Sequence, residues 1–311
     1  MVGEGVAIVG VVIDGIVPVL PVPFLADGAL DEPGLAALVG WAADNRAQAV
    51  CLPAYGGEFY KLTEPERVRV VEIATTAAEG RVPVIGQANH ASQRAAIQLA
   101  REMESVGAAM ISMAAPRTFG LSDADLVRYF EPICREIDTE LLIQDFSPGG
   151  ATVGASFAAR LKKSCPNFRY LKLEDPMMGP RVRAIRDATD GEVGVLEGWG
   201  GMYLPELMDA GICGVMPGLT VLPALEAVFR GWQRGDRTAS FTEFQNVLPW
   251  IVFELQHMEL FLHLEKRMLC QAGLIATSHV REATIALDPD TDLHGRYLID
   301  YYLPRWFGSL V

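Results

Sequence analysis

Short apolar runs rich in Val, Ile and Leu recur along the first two thirds of the chain, separated by longer stretches whose apolar residues fall at helical spacing. The runs are Gly15–Leu20, Ala49–Pro53, Pro83–Gly86, Ala109–Met113, Leu141–Phe146, Tyr170–Asp175, Gly194–Trp199 and Ile212–Pro217. Eight such runs alternating with helices predict an α/β fold, a (β/α)8 TIM barrel over residues 1–230. The helices carry signals of their own. Glu32–Asp44 keeps Leu35, Leu38, Val39 and Ala42 at helical spacing, and Thr63-Glu64-Pro65-Glu66 offers an N-cap, an early Pro and acids at the positive helix end. Ser122-Asp123-Ala124-Asp125 repeats much of that pattern.

Beyond about Arg230 the alternation stops. Ser240-Phe241-Thr242-Glu243 reads as a capping box opening one long apolar-striped stretch from Val247 to Leu269, which Gly273 closes. Pro249 is expected to kink that stretch or delay its start. Residues 231–311 therefore read as a C-terminal helical extension, packed on the barrel or on a neighbouring subunit.

One residue breaks the strand pattern. Lys172 sits inside Tyr170-Leu171-Lys172-Leu173-Glu174-Asp175, where a buried strand is otherwise expected. Desolvating an ammonium is costly, so a buried lysine is normally paired or used, and a lowered amine pKa suits attack on a carbonyl to form a Schiff base. The plain alternative is an edge-strand lysine with its ammonium in water. Side chains alternate along a strand with period two, so Glu174 shares the face of Lys172 and can hold the ammonium, take a proton from carbon or bind a hydroxyl.

In a barrel the working groups lie at the C-terminal strand ends. The second run ends in Tyr55-Gly56-Gly57-Glu58, where backbone N–H groups can approach a carboxylate, unless this is an ordinary glycine turn. His90 after the third run is placed to touch substrate or to hydrogen-bond within its loop. Asp145 after the fifth can relay a proton, anchor a hydroxyl or stabilise its loop. Gly198, Trp199 and Met216 are expected as pocket wall and floor, with Trp199, Met113 and Phe146 either setting pocket size or packing the core.

Composition removes several alternatives. The 311 residues carry 26 Lys and Arg against 39 Asp and Glu, a net charge of -13, which argues against nucleic acid or an anionic membrane surface as partner. Cys51, Cys134, Cys165, Cys213 and Cys270 are scattered, with no CxxC pair and no His at zinc-ligand spacing, so neither disulfides nor a metal are expected and a reducing, cytoplasmic setting fits. The N-terminus carries Glu4 and Asp14 and makes a poor signal peptide. No apolar stretch reaches the roughly 18 residues of a membrane span.

Gly15-Ile16-Val17-Pro18 with Pro23-Phe24, Gly57-Glu58, Leu62-Thr63-Glu64-Pro65-Glu66-Arg67, Lys172 and Gly198-Trp199-Gly200 together resemble the dihydrodipicolinate synthase and N-acetylneuraminate lyase superfamily of Schiff-base aldolases and dehydratases. The resemblance implies that Lys172 forms an iminium with the 2-oxo group of a small pyruvate-like acid, with no further cofactor, and that the protein is a homotetramer built as a dimer of dimers. Two motifs depart from the family pattern. Its Gly-Thr-Thr-Gly-Glu reads Ala54-Tyr55-Gly56-Gly57-Glu58, leaving backbone donors of Tyr55, Gly56 and Gly57 to seat the carboxylate. Its Tyr-Asn-x-Pro reads Asp145-Phe146-Ser147-Pro148, so Asp145 stands in for the proton-shuttling tyrosine.

Gln144-Asp145 with its Gly/Ser-rich loop, the segment leading to His90, and Lys172-Leu173-Glu174 are more similar to 2-keto-3-deoxy-L-arabonate dehydratase-like members. The expected function is Schiff-base dehydration of a 2-keto-3-deoxy sugar acid, with Lys172 as nucleophile, Glu174 as base and Asp145 or a water assisting loss of hydroxide. Two other readings stay open: a pyruvate-dependent aldolase using the same lysine, and a non-catalytic 2-oxo acid binding protein.

Overall fold

A computed structural model describes residues 10–308 and 310, apart from 118 and 147–151. The Ser147–Gly150 part of the Gly/Ser-rich loop and Glu4 lie outside the described residues. The strands are β1 (Gly15–Ile16), β2 (Val50–Leu52), β3 (Val84–Gln87), β4 (Met110–Ala114), β5 (Glu140–Asp145), β6 (Phe168–Leu173), β7 (Gly194–Glu197) and β8 (Gly214–Val215). Each falls in or beside one predicted run. Between them lie α1 (Glu32–Asp44), α2 (Glu64–Ala78), α3 (Gln93–Ser105), α4 (Asp123–Glu136), α5 (Ala155–Ser164), α6 (Gly179–Ala188) and α7 (Leu204–Met208), and α8 (Leu222–Gln233) follows.

Neighbouring strands pair in parallel in the order β1-β8-β7-β6-β5-β4-β3-β2. Val19 bridges both Gly218 and Cys51, and the Leu20 N–H donates to the Cys51 carbonyl at 3.0 Å, closing the ring into a (β/α)8 barrel. Strand alternation then separates two apolar layers. Val17, Val19, Cys51, Ile85, Met110, Leu142, Tyr170, Leu196 and Met216 fill the barrel interior. Leu52, Ile111, Ile143, Leu171, Leu173 and Val195 face the helices. Met113 belongs to this outer layer and is core packing, not pocket wall.

Thr63 and Ser122 each close a capping box, with Glu66 and Asp125 as the reciprocal partners. The capping box expected at Ser240 does not form. Helix α9 (Arg237–Glu254) starts earlier, with Asp236 accepting from the Ala239 N–H, so Ser240 lies inside the helix and its hydroxyl donates back to the Asp236 carbonyl at 2.8 Å. The expected single stretch is also two helices. It runs through Pro249, breaks at 255–257 and resumes as α10 (Met258–Gln271), where Gly273 adopts a left-handed φ of 74° just past the end. Helix α11 (Pro289–Trp306) follows. A boundary at 230 cuts α8, which continues to Gln233, and Trp250, Leu264 and Tyr302 share one apolar cluster with the barrel's outer layer.

Candidate active site

Tyr170 and Lys172 lie on the inward face of β6, Glu174 continues that face just past its end, and Lys172 lies in register with Gln144 of β5 and Leu196 of β7. The Lys172 Nζ is 2.9 Å from Glu174 Oε1, with both side chains nearly enclosed. Gln144 Nε2 donates to the same Oε1 at 2.6 Å, Gln87 Nε2 donates to Gln144 Oε1 at 2.7 Å, and the Cys51 thiol donates to Gln87 Oε1 at 3.4 Å. A hydrogen-bonded row thus crosses the barrel from β2 to β6. Glu174 Oε2 has no partner among the described residues. Burial pushes the Glu174 carboxyl above the usual carboxylate range, against the pull of Lys172 and Gln144. The Cys51 thiol is pushed up to about 12 by the same cause, which makes it inert.

The Gln144, Lys172 and Glu174 end of this row lines a narrow chamber together with Ala54, Tyr55, Gly56, Phe146, Gly198, Met216, Gly218 and, from the C-terminal helices, Leu255, Met258 and Phe261. The glycines are steric requirements. A Cβ on Gly198 would stand 2.5 Å from both Lys172 Cε and Glu174 Cγ, and one on Gly56 would stand 2.9 Å from the Phe261 ring. Gly57 N–H already donates to the Ala54 carbonyl at 3.0 Å, so the amides of Tyr55 and Gly56 are the donors left at this turn among the described residues. Gly57 is buried but lines no part of the chamber. The Tyr55 and Phe146 rings pack with centres 4.5 Å apart and planes tilted by 40°, and face a second, outer basin ringed by Asn89, His90, Pro116 and Arg117.

Several expected residues lie elsewhere. His90 belongs to the outer basin alone; its Nδ1 accepts from the Ser92 N–H at 2.8 Å, and its Nε2 is 3.7 Å from Glu64. Trp199 is half-buried and lines neither cavity. Asp145 is the main correction. Alternation along β5 turns Leu142 and Gln144 inward, so Asp145 points out, where it pairs with Arg117 and accepts from the Val153 N–H at 2.7 Å. Its carboxyl is raised by burial, with Arg117 pulling it back. The inward side chain that meets Glu174 is Gln144. Strand parity identifies it: Gln144 is two residues from the inward Leu142 and in register with Lys172, whereas the Pro148-anchored motif falls on the outward Asp145.

A family model described as the dihydrodipicolinate synthetase family matches residues 12–298. The chain belongs to that family. It is 26% identical over 281 residues to the L-2-keto-3-deoxyarabonate dehydratase of Azospirillum brasilense, covering 89% of this chain and 90% of that one. The dihydrodipicolinate synthase of Rhodopseudomonas palustris superposes with a TM-score of 0.85 at 24% identity, over 93% of this chain and 97% of that structure. YagE of E. coli K12, solved in complex with pyruvate, superposes with a TM-score of 0.84 at 23% identity, over 93% and 98%. At such identities the two structures establish the shared barrel fold. As a member of this dihydrodipicolinate synthetase family with a full-length dehydratase relative, the protein is a lyase.

Leu255 and Met258 read in the sequence only as part of the C-terminal apolar stripe, and Phe261 carries no signal of its own; the chamber role of all three is absent from that reading. They surround the α9–α10 break, far along the chain from Lys172, and no local pattern distinguishes them from helix packing. Glu197, at the end of β7, is a structural carboxylate: it accepts from Gly201 N–H at 2.7 Å, and burial raises it to about 7. Among the described residues no group of three or more His, Cys, Asp or Glu could hold a metal ion, and no helix is long and apolar enough to cross a membrane.

Proposed function

We propose that this protein dehydrates a 2-keto-3-deoxy sugar acid through an iminium on Lys172. The observation that carries the reading is the enclosed Lys172–Glu174 pair at 2.9 Å, with one carboxylate oxygen held by Gln144 and the other open to the chamber. Neutral Lys172 attacks the C2 carbonyl, and loss of water gives the iminium. The iminium acidifies C3, Glu174 Oε2 takes a C3 proton, and the resulting enamine expels the C4 hydroxyl. The Tyr55 and Gly56 amides seat the substrate carboxylate, and Gly198 and Met216 shape the wall. Asp145 acts at a distance, holding Arg117 and the Val153 end of the loop that leads into α5. The full-length likeness to an L-2-keto-3-deoxyarabonate dehydratase supports this substrate class. The covalent link to Lys172 takes the place of a cofactor, and the same family likeness favours a cytoplasmic homotetramer.

The test is borohydride trapping with pyruvate and with a 2-keto-3-deoxypentonate, read by intact mass and peptide mapping, alongside product analysis. Both acids are expected to leave an adduct on Lys172, and the pentonate to lose water without releasing pyruvate. Release of pyruvate would make the protein an aldolase, and absence of any adduct would overturn the Schiff-base reading.

A further inference from the structure

Loss of a C4 hydroxyl requires a proton for the departing oxygen, and the chamber contains few groups that can supply it. Among the described residues that line it, only Tyr55, Lys172 and Glu174 have side chains that titrate. Lys172 is committed to the iminium and Glu174 to the C3 proton. Gln144 holds the inward position on β5 but has no proton to exchange, Asp145 faces out, and His90 stays in the outer basin. The Tyr55 ring is held edge-on by Phe59 at 5.0 Å and against Phe146 at 4.5 Å, and its hydroxyl has no hydrogen-bond partner among the described residues.

We propose that Tyr55 is the general acid that protonates the C4 hydroxyl as it leaves. Resting on the dehydratase reading above, this adds a second proton carrier to it. In the first half, Glu174 takes the C3 proton and the C–H pair becomes the C2=C3 bond of the enamine. In the second, the Lys172 nitrogen lone pair re-forms the C2=N bond, the C2=C3 pair moves to form C3=C4, the C4–O bond breaks, and the oxygen takes the Tyr55 proton and departs as water. The proton held on Glu174 then returns to the phenolate, leaving both groups as they began. Burial and the Glu174 charge both raise the Tyr55 phenol, so it enters the reaction protonated. Once Glu174 is neutralised by the C3 proton, the repulsion opposing the phenolate is gone at the moment it forms.

The test compares Tyr55→Phe with wild type on the pentonate and on its 4-deoxy-4-fluoro analogue, whose fluoride departs without a proton. Water loss is expected to fall about 100- to 10,000-fold, the range of general acid catalysis. Borohydride trapping, solvent deuterium exchange at C3 and fluoride release should stay within about threefold of wild type by the same argument. A fall in water loss of less than about tenfold would overturn the proposal and leave Glu174 as both base and acid. An equal loss on both substrates would overturn it too, making Tyr55 a packing residue. Failure of the wild-type protein to trap either acid would strike the Schiff-base reading itself, whereas unaltered dehydration by the variant strikes Tyr55 alone.

Discussion

Lys172 and Lys266 are each buried against a glutamate, and they differ in what they can reach. Lys172 meets Glu174 on the wall of a chamber, beside a glycine that leaves room for its stem. Lys266 of α10 meets Glu58 with neither side chain exposed, donates to the His279 carbonyl at 3.0 Å and lies 4.2 Å from the centre of the Phe24 ring. Glu58 is further tied by Lys61 at 3.1 Å and by the Arg281 N–H at 3.2 Å. Burial lowers Lys266 to about 8, against the opposing pull of Glu58. A lowered amine is therefore no marker of the nucleophile here. Access is what separates them: the sealed pair locks the C-terminal helices to the Gly56-Gly57-Glu58 turn, and the open pair faces the chamber.

The sharpest way to break this contrast is to remove each lysine. Lys172→Ala should abolish trapping and turnover, measured by borohydride adduct and product formation. Lys266→Met should keep the Lys172 adduct at saturating acid and lose about 3–5 kcal/mol of stability in denaturant unfolding, the cost of stranding a buried charge. Trapping lost in the Lys266 variant alone, with Lys172→Ala still trapped, would reverse the assignment. Next in size is Glu174→Gln, expected to keep the adduct and lower turnover about 100- to 10,000-fold; near wild-type turnover would remove Glu174 as base.

A smaller effect separates the two regions by pH. Activity should rise as Glu174 ionises, at a pH above the usual carboxylate range because burial raises its carboxyl. Stability should move the other way. Glu197 and Glu265 are each raised by burial from 4.5 to about 7, so the folded state holds the protons that the unfolded state releases between those values. Their contribution is full below pH 4.5 and is lost as pH rises through about 7, lowering the denaturation midpoint over that window. Glu265 accepts from the Leu219 N–H at 3.0 Å and from Thr220, behind the chamber wall, and Glu265→Gln should flatten the slope. An unchanged slope would show that these buried carboxylates do not set it.

Much of this was readable from local pattern. The eight apolar runs located the strands, and period two put Lys172 and Glu174 on one face because alternation is a property of any strand. The same rule applied to Leu142 and Gln144 identifies Gln144 as the inward residue, where a match through Pro148 pointed to Asp145. The start of α9 was misplaced because Ser240 and Glu243 satisfy the capping pattern while Asp236, also a good cap, lies one turn earlier. Lys266 gave no signal: within an amphipathic helix a lysine reads as solvent-facing until its neighbours are known.

The sequence by itself determined the barrel, the strand ends where chemistry gathers, and the Lys172–Glu174 pair, since these follow from local periodicity and from the cost of burying an amine. Only the tertiary structure decided which polar side chain of β5 meets Glu174, that Gly57 N–H is already engaged, and that Leu255, Met258 and Phe261 close the chamber. It also decided that Tyr55 shares that chamber with Lys172 and Glu174. Such contacts join residues far apart in the chain, and no spacing rule encodes a distance that packing sets.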